Sequence, residues 1–264
     1  MSLLSRHIEV YDFYRGTRHW RMTGGDRDAV VEGQTYAAVD GLKRGRLVQS
    51  AEIQKGGLDI EMPLGVDLLK QFIPAPPMSA VHLNFKRIRL SDGLVRTAWM
   101  GVVSDVEDDG KWATVKCQSL SAAMASRGLR RTWQVPCAVP LYSAGNGMCN
   151  VNPDDFRTDA VPADADGYIV RAGAFAAFGD HYFRGGFLRY PDAAEFEHVH
   201  ITDQVGDTLF LLTPVRIASG VMVSAFPGCD HSLQMCHEKF DNSLNYAGQH
   251  TLPTEGPFDG QAVF

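Results

Sequence analysis

The sequence predicts a mainly β protein, and three observations carry that expectation. Asp92-Gly93 and Asp109-Gly110 each sit between stretches of alternating apolar and polar residues, the strongest short-range hairpin signal, because the favoured two-residue turn needs positive φ at both central positions. Twenty-six glycines and thirteen prolines are spread through 264 residues without a period, which suits many short strands joined by turns. The apolar fraction of 45% is that of a chain that buries a core. A chain of this length exceeds the usual single domain. The expected architecture is an N-terminal β domain, a meander or barrel, over residues 1–126, a cysteine-rich region with short helices in two halves, 127–157 and 224–264, and a small β domain inserted at 158–223.

The elements follow in order. Ile8 to Tyr14 and Thr17 to Thr23 flank Arg15-Gly16 as a hairpin, Val81 to Leu90 meets Leu94 to Val106 across Asp92-Gly93, and Trp112 to Cys117 follows Asp109-Gly110. Between Val81 and Leu90 the apolar phase changes from 81, 83 and 85 to 88 and 90, which predicts a bulge near Lys86. Asp67 to Ile73 has a helical register that stops at Pro74. Ser119 to Ser126 reads as a second helix, with Gly128 as its cap. Residues 137–157 read as loop, with Asn146-Gly147 and Asn152-Pro153 as turns; Tyr168 to Val223 returns to strands, with a hairpin at Arg184-Gly185-Gly186.

Charge and hydropathy bound the function. A net charge of −6 argues against a surface built to hold duplex nucleic acid, which needs a concentrated basic face. Arg127, Arg130 and Arg131 form a short basic cluster, read as a solvated face in preference to a contact for acidic neighbours or for DNA in a channel. Charged residues interrupt the N-terminus before an apolar stretch of signal length develops, and Thr208 to Val223 is too short and too interrupted to span a bilayer. The expectation is a protein without stable membrane anchoring, made in a reducing compartment where thiols stay free or bind metal.

Four of the five cysteines form two distant pairs, Cys137-x11-Cys149 and Cys229-x6-Cys236. Both spacings exceed those of paired ligands in most structural zinc sites, so an iron–sulfur cluster is a candidate beside zinc. Cys117, in a strand pattern, reads as a small buried hydrophobe. Asp230, Ser232 and Asn242 are candidates to organise hydrogen bonds around the sulfurs, with Phe226, Met235 and Phe240 to exclude water.

Around these cysteines the sequence resembles a known family. Gly128-Leu-Arg-Arg-Thr-Trp-Gln-Val-Pro-Cys137, Leu141-Tyr142 and Gly147-Met-Cys149 resemble the middle of phage tail proteins related to a conserved Brucella prophage family. Gly228-Cys-Asp230, Cys236, Phe240, Asn242, Asn245-Tyr-Ala-Gly248 and Pro253 resemble its C-terminal signature, and Trp20, Asp26-Arg-Asp28, Gly33-Gln-Thr-Tyr36 and Trp99-Met-Gly101 extend the likeness to the first domain. The resemblance implies a virion protein, the tail-tip hub of long flexible-tailed phages and gene transfer agents, similar in role to tail-tip protein L of phage lambda. It further implies a β-barrel hub domain, a homotrimeric ring, a [4Fe-4S] cluster on Cys137, Cys149, Cys229 and Cys236, and no catalysis. Its partners would be the distal tail protein and the central hub or fibre proteins, with DNA passing through the lumen and assembly in the bacterial cytoplasm. An iron–sulfur oxidoreductase or redox sensor is the alternative; a zinc-stabilised binding module is another.

Other chemistry is weaker. Cys236-His237-Glu238 has the residue types of a thiol hydrolase, but adjacent residues do not face one another. His198 and His200 share a strand face and read as exposed histidines before they read as a metal site. Asp164-Ala-Asp166-Gly167 has residue types of a calcium loop, but Pro162 stands where the first acidic ligand belongs, so a turn is expected.

Overall fold

A computed structural model describes residues 7–47, 56–73, 75–121, 133–192 and 195–252. The fold is mainly β, as the composition and turns predict, with two sheets, one of them a half-barrel, and few short helices. The chain divides into two compact units: Met1–Arg127 with Asp192–Glu197, and Gly128–Pro191 with His198–Phe264.

The first unit holds β1 (His7–Arg15), β2 (Arg18–Thr23), β3 (Ala29–Val31), β4 (Gln34–Ala38), β5 (Lys43–Arg44), β6 (Gly57–Pro63), β7 (His82–Arg89), β8 (Val95–Asp108) and β9 (Trp112–Ser119). Their order in the sheet is β3-β4-β2-β1-β7-β8-β9-β6-β5. All three predicted hairpins form: β1 pairs antiparallel with β2, β7 with β8, and β8 with β9. Alternation along β1 sends Tyr11 and Phe13 into the main core, with Phe85, Leu58, Ile60 and Trp99. Val10 faces the other way, into a small second core with Val31 and Tyr36, against which Ile88 and Val95 pack. That second core explains the phase change in β7, and the bulge lies on the neighbouring strand. β7 pairs with β1 without a slip, whereas Phe85 faces Trp99 and Lys86 faces Thr97, so the extra residue is Ala98 of β8. A second slip, between Val103 and Asp105, leaves Ser104 as another. Bulges increase local twist, and two of them curve this long strand.

Asp67–Phe72 is a 3₁₀ helix that buries Leu68 and Leu69. Leu120 and Ser121 begin the second expected helix; its remainder, and Arg127, Arg130 and Arg131, lie outside the described residues. Cys117 is a fully packed member of the main core, and burial pushes its thiol up to about 12.

The second unit is built on β10 (Thr158–Ala160), β11 (Asp164–Arg171), β12 (Phe187–Asp192), β13 (Glu195–Val205), β14 (Thr208–Arg216) and β15 (Val223–Phe226), in the order β10-β15-β12-β13-β14-β11. Asp192 at the end of β12 and Glu195 to Glu197 at the start of β13 belong to the first unit. There Arg15, which is buried, bonds Ser79, Gln71, Asp192 and Glu197. Two expectations change in the second unit. Arg184-Gly185-Gly186 is not a hairpin: a 3₁₀ turn at Gly173–Ala177 and the rings of Phe175, Phe178, Tyr182 and Phe183 precede it, packing as a cluster where a partner strand would run. Asp164 to Gly167 is neither turn nor calcium loop; it opens β11, with a register slip against β14 after Gly167 at φ 71°.

Candidate metal centre

The four paired cysteines line a single pocket. Cys137 and Cys149 lie on the loop that precedes β10, Cys229 lies just after β15, and Cys236 is on α1 (Leu233–Glu238). The short helix forms because Ser232 caps it, its hydroxyl accepting from the Met235 N–H at 3.1 Å. Val139, Leu141, Val151 and Phe240 complete much of the wall.

Each cysteine is fixed by contacts of its own. The Cys137 N–H donates to the His231 carbonyl at 2.8 Å, tying the first loop to the third. Asn242 Nδ2 donates to the Cys149 carbonyl at 2.7 Å and stands 3.6 Å from its sulfur. The His231 N–H donates to Cys229 Sγ at 3.3 Å, and Cys236 Sγ donates to the Asn242 carbonyl at 3.3 Å. Donors aimed at sulfur are the outer-shell feature that stabilises bound thiolates. Tyr142, whose hydroxyl donates to the Pro227 carbonyl at 2.7 Å, and Tyr246, whose hydroxyl donates to the Val135 carbonyl at 2.8 Å, hold the loop backbones from outside.

The backbone around the pocket is unusual. Tyr142 (φ 62°), Asn150 (φ 58°), His231 (φ 65°) and Asp241 (φ 45°) are non-glycine residues in the left-handed region, and all flank the cysteine loops. Such strain persists only where the surroundings over-determine it. Glycine permits the closest approaches: a Cβ on Gly186 would lie 1.9 Å from the Phe226 carbonyl oxygen, and one on Gly228 would lie 2.2 Å from Gly185 C. The Cys229 turn is thus pressed directly onto the Gly185-Gly186 backbone.

All four thiols are free of disulfides. Burial, followed by repulsion from Cys229, Cys149 and Cys137, pushes Cys236 up to about 11, and burial likewise raises Cys229. Thiols this close resist ionising together unless a cation arrives, and thiolates are its preferred soft donors. By residue type, Cys137, Cys149, Cys229 and Cys236 are the side chains of this pocket that would hold a thiolate-bound metal or cluster. Among the described residues, no three Cys, His, Asp or Glu side chains are grouped as ligands of one ion.

Of the expected supporting residues, Ser232, Asn242 and Phe240 line the pocket. Phe226 lies further back, stacked on Phe187 at 4.5 Å. Met235 Sδ accepts from the Asp230 N–H at 3.2 Å. His198 packs beside the Phe187 ring at 5.3 Å, and His200 is exposed. Lys239 was not singled out by the sequence. Its ammonium donates to the Tyr182 carbonyl at 2.6 Å and the Gly228 carbonyl at 3.0 Å, and burial pulls it down to about 8.

A chain in the solved structure titled "Virion of native gene transfer agent (GTA) particle" superposes with a TM-score of 0.75 at 17% identity, over 100% of this chain and 97% of that one, a likeness of fold. The family described as "Phage conserved hypothetical protein BR0599" matches residues 181–256. No curated protein matches the sequence. The family described as "Baseplate hub protein, N-terminal attachment domain" matches residues 14–152, just over half of the chain, and the chain belongs to that family of phage baseplate hub proteins.

Proposed function

We propose that this chain is the structural tail-tip hub of a long-tailed, siphovirus-like particle, a ring that joins the end of the tail tube to the host-recognition apparatus. The ring is a homotrimer, its neighbours are the distal tail protein and the central hub or fibre proteins, and its lumen passes the genome. Closing such a ring takes heterologous contacts between copies. The observation that carries the reading is the match of residues 14–152 to a baseplate hub attachment domain. In the second unit, Cys137, Cys149, Cys229 and Cys236 hold a [4Fe-4S] cluster whose role is to tie sequence-distant loops together.

One feature supports a cluster over zinc. Neither cysteine spacing is that of the usual zinc pair. Purification without oxygen, with iron, sulfide and zinc counted per chain, tests the assignment. Iron and sulfide in equal amounts are expected, and Cys229→Ser should abolish loading and give an insoluble or misassembled product, because metal binding is coupled to folding. Cys117→Ser should leave iron content unchanged. Zinc alone would replace the cluster by a zinc tie, and rapid reversible redox cycling with a carrier would favour an oxidoreductase over the structural role.

A further inference from the structure

Lys239 has no task in the hub role or among the four thiols, yet its side chain is half-buried and its ammonium is spent on two backbone carbonyls. The Gly228 carbonyl that accepts from it belongs to the peptide whose nitrogen is that of Cys229, and the other acceptor is the Tyr182 carbonyl. The ammonium lies 4.4 Å from the centre of the Tyr182 ring and 5.5 Å from that of Phe240, which walls the cysteine pocket. Two carbonyls and two ring faces offset part of the cost of burying a cation. Joining two carbonyls is also within reach of a neutral donor, which is cheaper to bury.

What the location supplies is positive charge one peptide behind a ligand thiol. Four thiolates bring four negative charges, and a divalent ion or an iron–sulfur core neutralises only some of them, so the loaded site is anionic. We infer that Lys239 is the counter-charge of the four-cysteine centre, a positioning residue that holds the Gly228–Cys229 peptide and offsets the excess negative charge of the metal-bound thiolates. The inference rests on the metal reading of the previous section and adds to it the residue that sets the electrostatics of the site. Net charge and hydrogen bonding are the levers by which a protein sets the potential of a thiolate-bound core.

The test uses the full chain, reconstituted without oxygen with ferrous iron and sulfide, as wild type, Lys239→Met and Lys239→Arg. Methionine keeps an unbranched apolar stem without the charge, and arginine keeps the charge. Iron release to a chelator should be about 10–100-fold faster in K239M, the size of effect that loss of an outer-shell partner has on metal sites. Its reduction potential should fall below that of the wild type, while K239R stays near the wild type in both. If the wild type takes up zinc instead, the same release ratio is expected with zinc. Equal release rates in K239M and the wild type would overturn the role, and so would equal losses in K239M and K239R, which would mark a steric fit. A wild-type chain that takes up neither metal overturns the metal reading itself, a failure visible before any variant is made.

Discussion

Glu9 shows how one side chain can tie a sheet edge to acid sensitivity. Its carboxylate accepts from Arg44 Nε at 2.7 Å, Arg44 Nη2 at 2.8 Å and Arg87 Nε at 3.0 Å. Burial alone would raise its pKa; the two guanidiniums outweigh burial and hold it below the ordinary 4.5. A carboxyl depressed in the folded state stabilises it fully above its unfolded pKa and loses that contribution as pH falls through the folded one. The first unit should therefore lose stability on acidification below about pH 4.5. Glu9→Gln should cost about 2 kcal/mol at pH 7 and flatten that part of the profile, measured by urea melts from pH 3 to pH 7. The sequence gives little warning of such a group, since Glu9, Arg44 and Arg87 are far apart in it. That the four paired cysteines meet in one pocket was legible from their pairing in the sequence, and Asn242 because it follows them closely. Lys239 was not, because lysine is the residue most often left in solvent, and its burial depends on rings at 182 and 240 meeting in three dimensions.

The elements repeat that division between local and long-range information. Hairpins β1–β2, β7–β8 and β8–β9 were legible because a turn and the alternation on either side of it are local signals. The bulge near Lys86 forms, with Ala98 of β8 as its extra residue; apolar phase shows where a strand changes core without showing which partner supplies that residue. Gly185-Gly186 was misread as a hairpin turn because glycine marks both turns and close backbone contacts. Its actual use predicts that Gly186→Ala or Gly228→Ala cannot be absorbed by a side-chain movement, since the atoms met are backbone. Each should destabilise the second unit by at least about 3 kcal/mol, at the upper end of overpacking costs. Thermal melts of the variants check this, and Gly65→Ala, where an added Cβ meets nothing within 4 Å, serves as the control.

For the whole molecule, a tail-tip hub must appear at one place on a particle. Gold-labelled antibody against this chain should mark the tail end distal to the capsid in electron micrographs, and label along the tube or on the capsid would count against the role. All six strands of the second sheet, from Thr158 to Phe226, lie between Cys149 and Cys229. At bacterial translation speeds of roughly 5–20 residues per second, the first two thiols leave the ribosome on the order of ten seconds before the last two. During that interval a newborn copy carries two of the four pocket thiols without the segment that later packs against them, so an oxidant arriving then would meet them unsheltered.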